Sequence, residues 1–259
     1  MRLTRRQSLQ RFAAAATLVS IGRATRRSPP PPIRLVALDV GGTIIQDRGN
    51  IPELLRSALA HHGVGSTPEE IGRLRGASKR GAVRHFVDLQ SLPPNANREE
   101  LTASVYDEFK AGVMEVYRSV PPIAGAAEAI RELRHMGYLV ATTTGFDREI
   151  TMSIFHRLGW EQYFAAIISS DDVVEGRPSP FMLFHAMESA RVDSVAQVIA
   201  VGDTPLDLQA GTNAGLRGVV GVLSGVSTAE RLRSEPHTHI LASVADLPAL
   251  LASATWRMR

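Results

Sequence analysis

Residues able to do chemistry follow an apolar stretch near the start of the chain. Residues 33–38 are apolar except for one Arg and lead to Asp39, which is followed by Val40, two glycines and Thr43. A carboxylate at the end of a buried strand, beside the backbone amides of a glycine turn, is well placed to act as a nucleophile. Gly41, two places after Asp39, has no side chain that could move a proton. A reaction begun at Asp39 therefore needs its proton donor elsewhere.

Polar side chains also follow two later apolar stretches. Residues 139–141 lead to Thr142-Thr143-Thr144-Gly145, and residues 198–201 lead to Gly202-Asp203, with Asp207 four places further on. Between them, Arg177 precedes a predicted helix. Carboxylates, hydroxyls and one cation at a common crevice suit Mg²⁺, which prefers oxygen ligands, and a phosphoryl group, whose oxygens need positive charge and donors.

The elements that must position these residues alternate between strand and helix from residue 121 onwards. This alternation predicts an α/β fold, a doubly wound parallel sheet with helices on both faces. In such sheets ligands bind beyond the carboxyl ends of the strands. Residues 50–118 contain no convincing strand and at least four helical segments. We therefore predict a core domain of residues 33–49 and 119–259 and an all-helical cap domain of residues 50–118, inserted after the first strand.

The first 32 residues have a different character from the rest. Arg5-Arg6, an apolar run over residues 12–21 and Gly22-Arg23-Ala24 resemble a twin-arginine export signal, and four prolines at 29–32 form an extended linker. The alternatives are a disordered basic extension and a start codon assigned too far upstream. We favour a cytoplasmic location, with export by the twin-arginine route as the alternative.

Composition excludes several classes of protein. Eight of the 29 basic residues lie within residues 1–34, which contain no Asp or Glu, so the remainder carries a net charge of −5. An acidic body repels phosphate backbones, and we expect no nucleic-acid partner. The chain has no cysteine, which excludes thiolate chemistry, and no apolar run long enough to span a membrane. A small-molecule substrate is the expected partner, and we allow for a homodimer.

The polar segments, in their order along the chain, resemble the four motifs of the haloacid dehalogenase (HAD) superfamily. The matching residues are Asp39-x-x-Gly42-Thr43, Thr143, Arg177 and Gly202-Asp203-x-x-x-Asp207. The predicted helical insert occupies the place of that superfamily's C1 cap. The resemblance covers residues 33 to about 251 and is greatest to the phosphonatase branch, through Thr143-Thr144-Gly145-Phe146 and the Arg-Pro pair at 177–178.

The resemblance implies a role for each matching residue. Asp39 would attack phosphorus and form a phosphoaspartate. Mg²⁺ would be held by the Asp39 carboxylate, the Gly41 carbonyl and Asp203, with support from Asp207. Hydroxyls and amides would hold the phosphoryl oxygens, and Arg177 would offset negative charge. The phosphoryl-binding residues implied in this way are Thr43, Thr143, Thr144 and Gly145.

Gly41 stands where most HAD enzymes carry a second, proton-handling Asp. Phosphonatases also lack that Asp and activate their substrate through a cap lysine that forms a Schiff base. Lys79 matches that lysine by position, and Lys110 is the only other lysine in the chain. Phosphonatases carry a His three residues later, where this chain has Ala82. Lys79 could equally grip a substrate anion or make an ordinary ion pair.

Arg84 and His85 lie on the same predicted helix as Lys79 and are candidates for a substitute acid, although a solvated helix face is the simpler interpretation. The resemblance predicts a Mg²⁺-dependent phosphatase acting on a small phosphorylated metabolite, such as a sugar or cyclitol phosphate. The alternatives are a phosphonatase that cleaves the P–C bond of phosphonoacetaldehyde, with Lys79 as the Schiff-base amine, and a non-catalytic phosphoryl-binding protein.

Overall fold

The computed structural model describes residues 32–47 and 50–253. Its centre is a sheet of six parallel strands in the order β3-β2-β1-β4-β5-β6. The strands are β1 (Leu35–Asp39), β2 (Leu139–Thr143), β3 (Ala166–Ile168), β4 (Val198–Gly202), β5 (Gly218–Val222) and β6 (His239–Leu241). The chain turns back from β3 to β4 across β1, which confirms the predicted doubly wound sheet. The N-terminal extension with its twin-arginine-like segment lies outside the described residues.

Ten α-helices accompany the strands within the described residues. Five of them lie between β1 and β2, and the first four make up Asn50–Tyr117, which we call the helical insert. These are α1 (Asn50–His61), α2 (Pro68–Arg73), α3 (Lys79–Asp88) and α4 (Arg98–Tyr117). The others are α5 (Ala126–His135), α6 (Arg148–Leu158), α7 (Phe181–Ser189), α8 (Pro205–Asn213), α9 (Ala229–Arg233) and α10 (Leu247–Ala252). The division of the chain into a core domain and a cap domain stays a prediction.

Two helix starts in the insert follow from residues that the sequence provides for capping. The Thr67 hydroxyl accepts the backbone N–H of Glu70, whose carboxylate accepts the N–H of Thr67 in return. Asn97 accepts the backbone N–H groups of Glu99 and Glu100. Each cap satisfies N–H groups that have no partner inside the helix, so each helix begins directly after its capping residue.

The sheet is buried on both faces, as parallel sheets require. Val36 and Leu38 on one face of β1 belong to a core that also includes apolar residues of α5, α6 and α10. Leu35 and Ala37 on the other face pack with residues of α7 and α8. No helix among residues 32–47 and 50–253 is long and apolar enough to cross a membrane.

The insert makes hydrogen bonds and ion pairs with the start of α6, which follows β2. Asp147 caps α6 by accepting the backbone N–H of Ile150 at 2.9 Å, and its other carboxylate oxygen accepts the Tyr106 hydroxyl at 2.7 Å. Lys110 approaches the same carboxylate at 3.6 Å and pairs with Glu149. One carboxylate therefore holds both the start of α6 and the middle of α4.

Replacing Asp147 by Ala removes a helix cap and an insert contact together. We expect D147A to lower the free energy of unfolding by about 2 kcal/mol, and Y106F by about 1 kcal/mol. Chemical denaturation measures both values. In the double variant the two losses should not add, because both substitutions remove the same hydrogen bond. Full additivity would contradict a shared contact.

Candidate active site

Three carboxylates meet at the carboxyl edge of the sheet, where the sequence places its candidate residues. Asp39 is the last residue of β1, Asp203 follows β4, and Asp207 lies in the first turn of α8. All three side chains are buried, and an oxygen of each lies within 4.8 Å of an oxygen of the others. Parallel strands end at one edge of the sheet, so residues far apart in the chain converge there.

The guanidinium of Arg177 joins two of these carboxylates. Its Nη1 lies 2.8 Å from Oδ1 of Asp39, and its Nε lies 2.9 Å from Oδ1 of Asp207. Its Nη2 donates to the carbonyl and the hydroxyl oxygens of Thr143 at 2.7 and 2.8 Å. Burial alone would lower the pKa of Arg177, but Asp207 and Asp39 outweigh burial, and the pKa is raised. Arg177 therefore stays a fixed cation behind Asp39.

Asp207 and Asp203 differ in what their oxygens contact. Oδ2 of Asp207 accepts the backbone N–H and the hydroxyl of Thr204, at 3.0 and 2.5 Å, while Arg177 holds its Oδ1. Oδ2 of Asp203 accepts the N–H of Val226 at 2.9 Å, whereas its Oδ1 is buried and has no hydrogen-bond partner in the described part of the chain. Asp207 is thus an orienting group, and Asp203 keeps one oxygen for a ligand.

Gly42 makes room for the Asp203 carboxylate. Its φ of +82° lies in the left-handed region, and a Cβ there would come within 2.5 Å of Oδ2 of Asp203. A residue with a side chain would be strained and would displace the carboxylate. Gly42 therefore both allows the turn after β1 and leaves space for the Asp203 carboxylate.

The cluster holds more negative than positive charge. Burial, followed by repulsion from Asp207, raises the pKa of Asp39 to about 7, although Arg177 opposes the shift. Burial and the neighbouring carboxylates Asp39 and Asp207 also raise the pKa of Asp203. Three buried carboxylates beside one buried guanidinium, with an unpartnered oxygen on Asp203, are a donor set that fits a hard divalent cation such as Mg²⁺.

A cavity of about 60 Å³ lies between this edge of the sheet and the helical insert. Asp39, Gly41, Asp203 and Arg177 line it from the sheet side. The other lining residues include Arg75, Lys79, Tyr117, Thr144, Gly145 and Phe146. A phosphoryl group in the cavity would therefore contact the carboxylate cluster on one side and the insert on the other.

Lys79 reaches the cavity from the first turn of α3. Its Nζ donates to the Ala77 carbonyl at 3.3 Å and lies 5.7 Å from the centre of the Phe146 ring. Its backbone N–H donates to the Gly145 carbonyl at 3.1 Å, which fastens the loop before α3 to the turn after β2. Burial lowers the pKa of Lys79, and attraction to Asp39 opposes this shift. Lys79 and Asp39 line the same cavity.

The predicted phosphoryl-binding residues do not all line the cavity. Thr144 and Gly145 line it, whereas Thr143 and Thr43 are not among its lining residues. The Thr143 hydroxyl oxygen accepts Arg177, and the buried Thr43 hydroxyl donates to Oδ2 of Asp39 at 3.3 Å. These two threonines therefore orient Arg177 and Asp39, respectively.

The candidate substitute acids on α3 lie away from the site. Arg84 and His85 are exposed, and neither lines the cavity. Arg84 pairs with Glu99 across the surface of the insert, so the simpler interpretation, a solvated helix face, is correct. Ala82, which replaces the His of phosphonatases, is buried and lines the cavity.

Sequence reasoning missed Tyr117 and Asp47 as residues of the site. Both line the cavity, and Tyr117 packs edge to face on Phe146 with ring centres 5.2 Å apart. Tyr117 ends a helix whose apolar spacing indicates only a core position. No motif marks it, because its place beside Gly41 depends on how the insert packs.

The parallel sheet, the carboxylate at the end of β1 and the acidic residues after β4 define a hydrolase of the HAD class. Residues 33–215 match the family model described as haloacid dehalogenase-like hydrolase. The chain belongs to this family, and within it the chain is phosphonatase-like.

Similar proteins agree with this assignment. The chain is 30% identical over 205 residues to a phosphonoacetaldehyde hydrolase of Bacillus thuringiensis (strain Al Hakam), covering 75% of this chain and 77% of that enzyme. A phosphonoacetaldehyde hydrolase-like protein from Oleispira antarctica has the same fold, with a TM-score of 0.75, 23% identity and coverage of 89% and 94% of the two chains. CbbY from Rhodobacter sphaeroides, solved in complex with phosphate, matches with a TM-score of 0.65, 19% identity and coverage of 88% and 100%.

The raised pKa of Asp39 predicts how stability changes with pH in the absence of metal. An ordinary Asp ionises near 3.8 and Asp39 near 7, so between these values the folded state binds more protons than the unfolded state. The free energy of unfolding therefore falls as the pH rises from about 4 to 7. We expect the metal-free Tm to be lower at pH 8 than at pH 5.5, and Mg²⁺ to raise it at pH 8.

Two variants isolate the cause of this pH dependence. D39N should weaken it, because an amide has no proton to lose, and D203N should abolish the response to Mg²⁺. D193N, at an exposed position, should behave like the unmodified protein. A metal-free Tm that rises between pH 5.5 and 8, or an unchanged slope in D39N, would contradict the assignment.

Proposed function

We propose that this protein is a Mg²⁺-dependent phosphatase that releases phosphate from a small phosphorylated metabolite. The observation that carries the proposal is the setting of Asp39. Its Oδ1 is held by Arg177 and its Oδ2 by the Thr43 hydroxyl, and Asp39 lines a cavity that Asp203 also lines. A carboxylate that is oriented on both oxygens beside a cation is suited to attack a phosphorus atom.

The proposed reaction runs in two steps at Asp39. An Asp39 carboxylate oxygen attacks phosphorus, the bond to the leaving oxygen breaks, and a phosphoaspartate forms. Water then attacks the phosphorus and releases inorganic phosphate. Arg177 offsets the negative charge of Asp39 and of the phosphoryl group in both steps, and Thr144 and the Gly145 amide hold phosphoryl oxygens.

Mg²⁺ would be held by the Asp39 carboxylate, the Gly41 carbonyl and Asp203, with Asp207 orienting Arg177 beside them. When bound, it neutralises charge on the phosphoryl oxygens and lets the anionic nucleophile approach an anionic substrate. Asp203 is the residue on which metal affinity should depend most, because its Oδ1 has no protein partner among the described residues.

The helical insert would determine which substrate enters. The loop at residues 74–78 covers the cavity and places Lys79 in its wall, so a substrate must fit between this loop and Asp39. The cavity is small, and its lining residues include Arg75, Lys79, Tyr117 and Phe146. We propose a small sugar- or cyclitol-phosphate-like substrate, with Lys79 holding one of its oxygens.

Asp39 is the first residue to test. We expect D39N to lower kcat for phosphomonoester hydrolysis by about 10³-fold or more, because a neutral amide does not attack phosphorus. Phosphate release with Mg²⁺ from a panel of sugar and cyclitol phosphates measures it, and D193N is the matched surface control. Undiminished turnover in D39N would contradict the proposal.

Phosphonate hydrolysis is a second candidate function, favoured by the surroundings of Lys79 and by the phosphonoacetaldehyde hydrolases among the relatives. Burial lowers the pKa of Lys79, and a more easily deprotonated amine attacks an aldehyde more readily. In this scheme the Lys79 amine and the aldehyde condense to an imine with loss of water. The iminium accepts the electrons of the breaking P–C bond while Asp39 takes the phosphoryl group.

Reductive trapping distinguishes the two candidates. If the protein is a phosphonatase, borohydride with phosphonoacetaldehyde should modify Lys79, and mass spectrometry should find the adduct on its peptide. K79R should lose both the adduct and P–C cleavage, while K110R, at the only other lysine, should keep both. Absence of an adduct on Lys79, with phosphate released from esters, would exclude the Schiff-base route.

A non-catalytic phosphoryl-binding protein is the third possibility raised by Gly41. The oriented Asp39, the fixed Arg177 and the unpartnered oxygen of Asp203 argue against it, because binding alone requires neither an oriented nucleophile nor a metal site.

A further inference from the structure

The position that a side chain would occupy at Gly41 lies next to Tyr117. A Cβ at Gly41 would lie 3.6 Å from the Tyr117 hydroxyl oxygen and 3.9 Å from a ring carbon of Phe146. Among the described residues outside its chain neighbours, no other atom comes within 4 Å of that point. The direction in which a side chain at position 41 would project therefore leads to a phenolic hydroxyl.

Tyr117 is held firmly in this place. It is the last residue of α4 and only 4% exposed, and its ring packs edge to face on Phe146 at an interplanar angle of 72°. Phe146 follows the turn after β2, which the backbone hydrogen bond from Lys79 to Gly145 joins to the insert. The hydroxyl is therefore set by packing from both the insert and the sheet.

The proton of this hydroxyl is not committed to another group. Within the described residues the Tyr117 hydroxyl makes no hydrogen bond, although it lines the cavity with Asp39. Burial raises the pKa of Tyr117 well above its usual value, and Asp47 and Asp39 add to this shift. The phenol thus stays neutral and can donate a hydrogen bond to a group in the cavity.

The other donors of the cavity wall are placed differently. Nζ of Lys79 donates to the Ala77 carbonyl, and the nitrogens of Arg177 contact Asp39, Asp207, Thr143 and the Gly76 carbonyl. Neither residue lies within 4 Å of a Cβ at position 41. Tyr117 is the donor nearest to the space that Gly41 leaves open.

We propose that the Tyr117 hydroxyl donates a hydrogen bond to the leaving-group oxygen of the substrate. The helical insert thereby provides the hydrogen-bond donor that a glycine at position 41 cannot provide. This role rests on the proposed phosphatase function. As the bond between phosphorus and the leaving oxygen breaks, the electron pair passes to that oxygen, and the Tyr117 hydroxyl stabilises the developing charge while keeping its own proton.

The proton balance then needs only water. A water molecule protonates the leaving alkoxide, and the hydroxide that remains attacks the phosphoaspartate, which regenerates Asp39 and releases phosphate. No side chain has to act as a proton shuttle, so the absence of a carboxylate at Gly41 is compatible with turnover.

The test compares two substrates that differ in their need for leaving-group stabilisation. For Y117F we expect kcat with an alkyl phosphate to fall about ten- to hundredfold, since one hydrogen bond to a charged oxygen is lost. With p-nitrophenyl phosphate, whose leaving group is already stable as an anion, the loss should stay below about threefold. Phe keeps the ring packing on Phe146, and Y106F removes another buried tyrosine hydroxyl as the matched control.

A second variant tests whether a carboxylate at position 41 can replace the Tyr117 hydroxyl. A Cβ at Gly41 meets only ordinary contact distances, and Y117F removes the hydroxyl nearest to it, so we expect G41D to restore alkyl phosphate turnover in the Y117F background at least tenfold. Equal losses for the two substrates in Y117F, or unchanged alkyl phosphate turnover, would overturn the role of Tyr117. If the unmodified protein releases phosphate from neither substrate, it is the proposed phosphatase function that fails.

Discussion

The structure of the site depends on one buried ion-pair network, in which the Arg177 guanidinium lies between the carboxylates of Asp39 and Asp207 and pairs with both. Buried carboxylates that face each other repel strongly when no cation lies between them. Arg177 removes much of that repulsion for two of the three acidic residues, and its other N–H groups donate to Thr143 and to the Gly76 carbonyl. Asp203 stands outside this network, and within the described part of the chain its Oδ1 has no hydrogen-bond partner.

That arrangement separates orienting residues from residues that face a ligand. Asp207, Thr143 and Thr43 have their polar atoms engaged by other protein groups, so they position the residues in front of them. Asp39, Asp203 and Thr144 reach the cavity. A motif match alone treats these residues as one set, whereas the structure divides them into residues that line the cavity and residues that do not.

Close backbone approach joins the helical insert to the site. A Cβ on Gly145 would lie 3.0 Å from the Gly76 carbonyl oxygen, so the loop before α3 rests directly on the turn after β2. This contact brings Lys79, which is distant in sequence from Asp39 and from Gly145, into the wall of the cavity. Tyr117 arrives from the other end of the insert and meets Phe146 from the same turn. Packing between the insert and the sheet therefore brings both Lys79 and Tyr117 to this cavity.

Much of the fold could be predicted from the sequence because its signals are local. Apolar runs ending in polar residues mark β1, β2 and β4, and the caps at Thr67, Asn97 and Asp147 mark helix starts within a residue or two. The single 3₁₀ turns at Glu161–Tyr163 and Ser170–Asp172 are not predicted. A turn of three residues is too short to show a periodic pattern of apolar residues.

The sequence by itself determined the class of fold, the four motifs and the residues that converge at the edge of the sheet. Alternating strands and helices predict a parallel sheet, and the carboxyl ends of parallel strands lie at one edge. Only the tertiary structure decided that Thr143 serves Arg177 while Thr144 lines the cavity, and that Tyr117 faces Gly41. Neighbouring residues of a strand point to opposite faces, and contacts between distant elements depend on packing that no local pattern encodes.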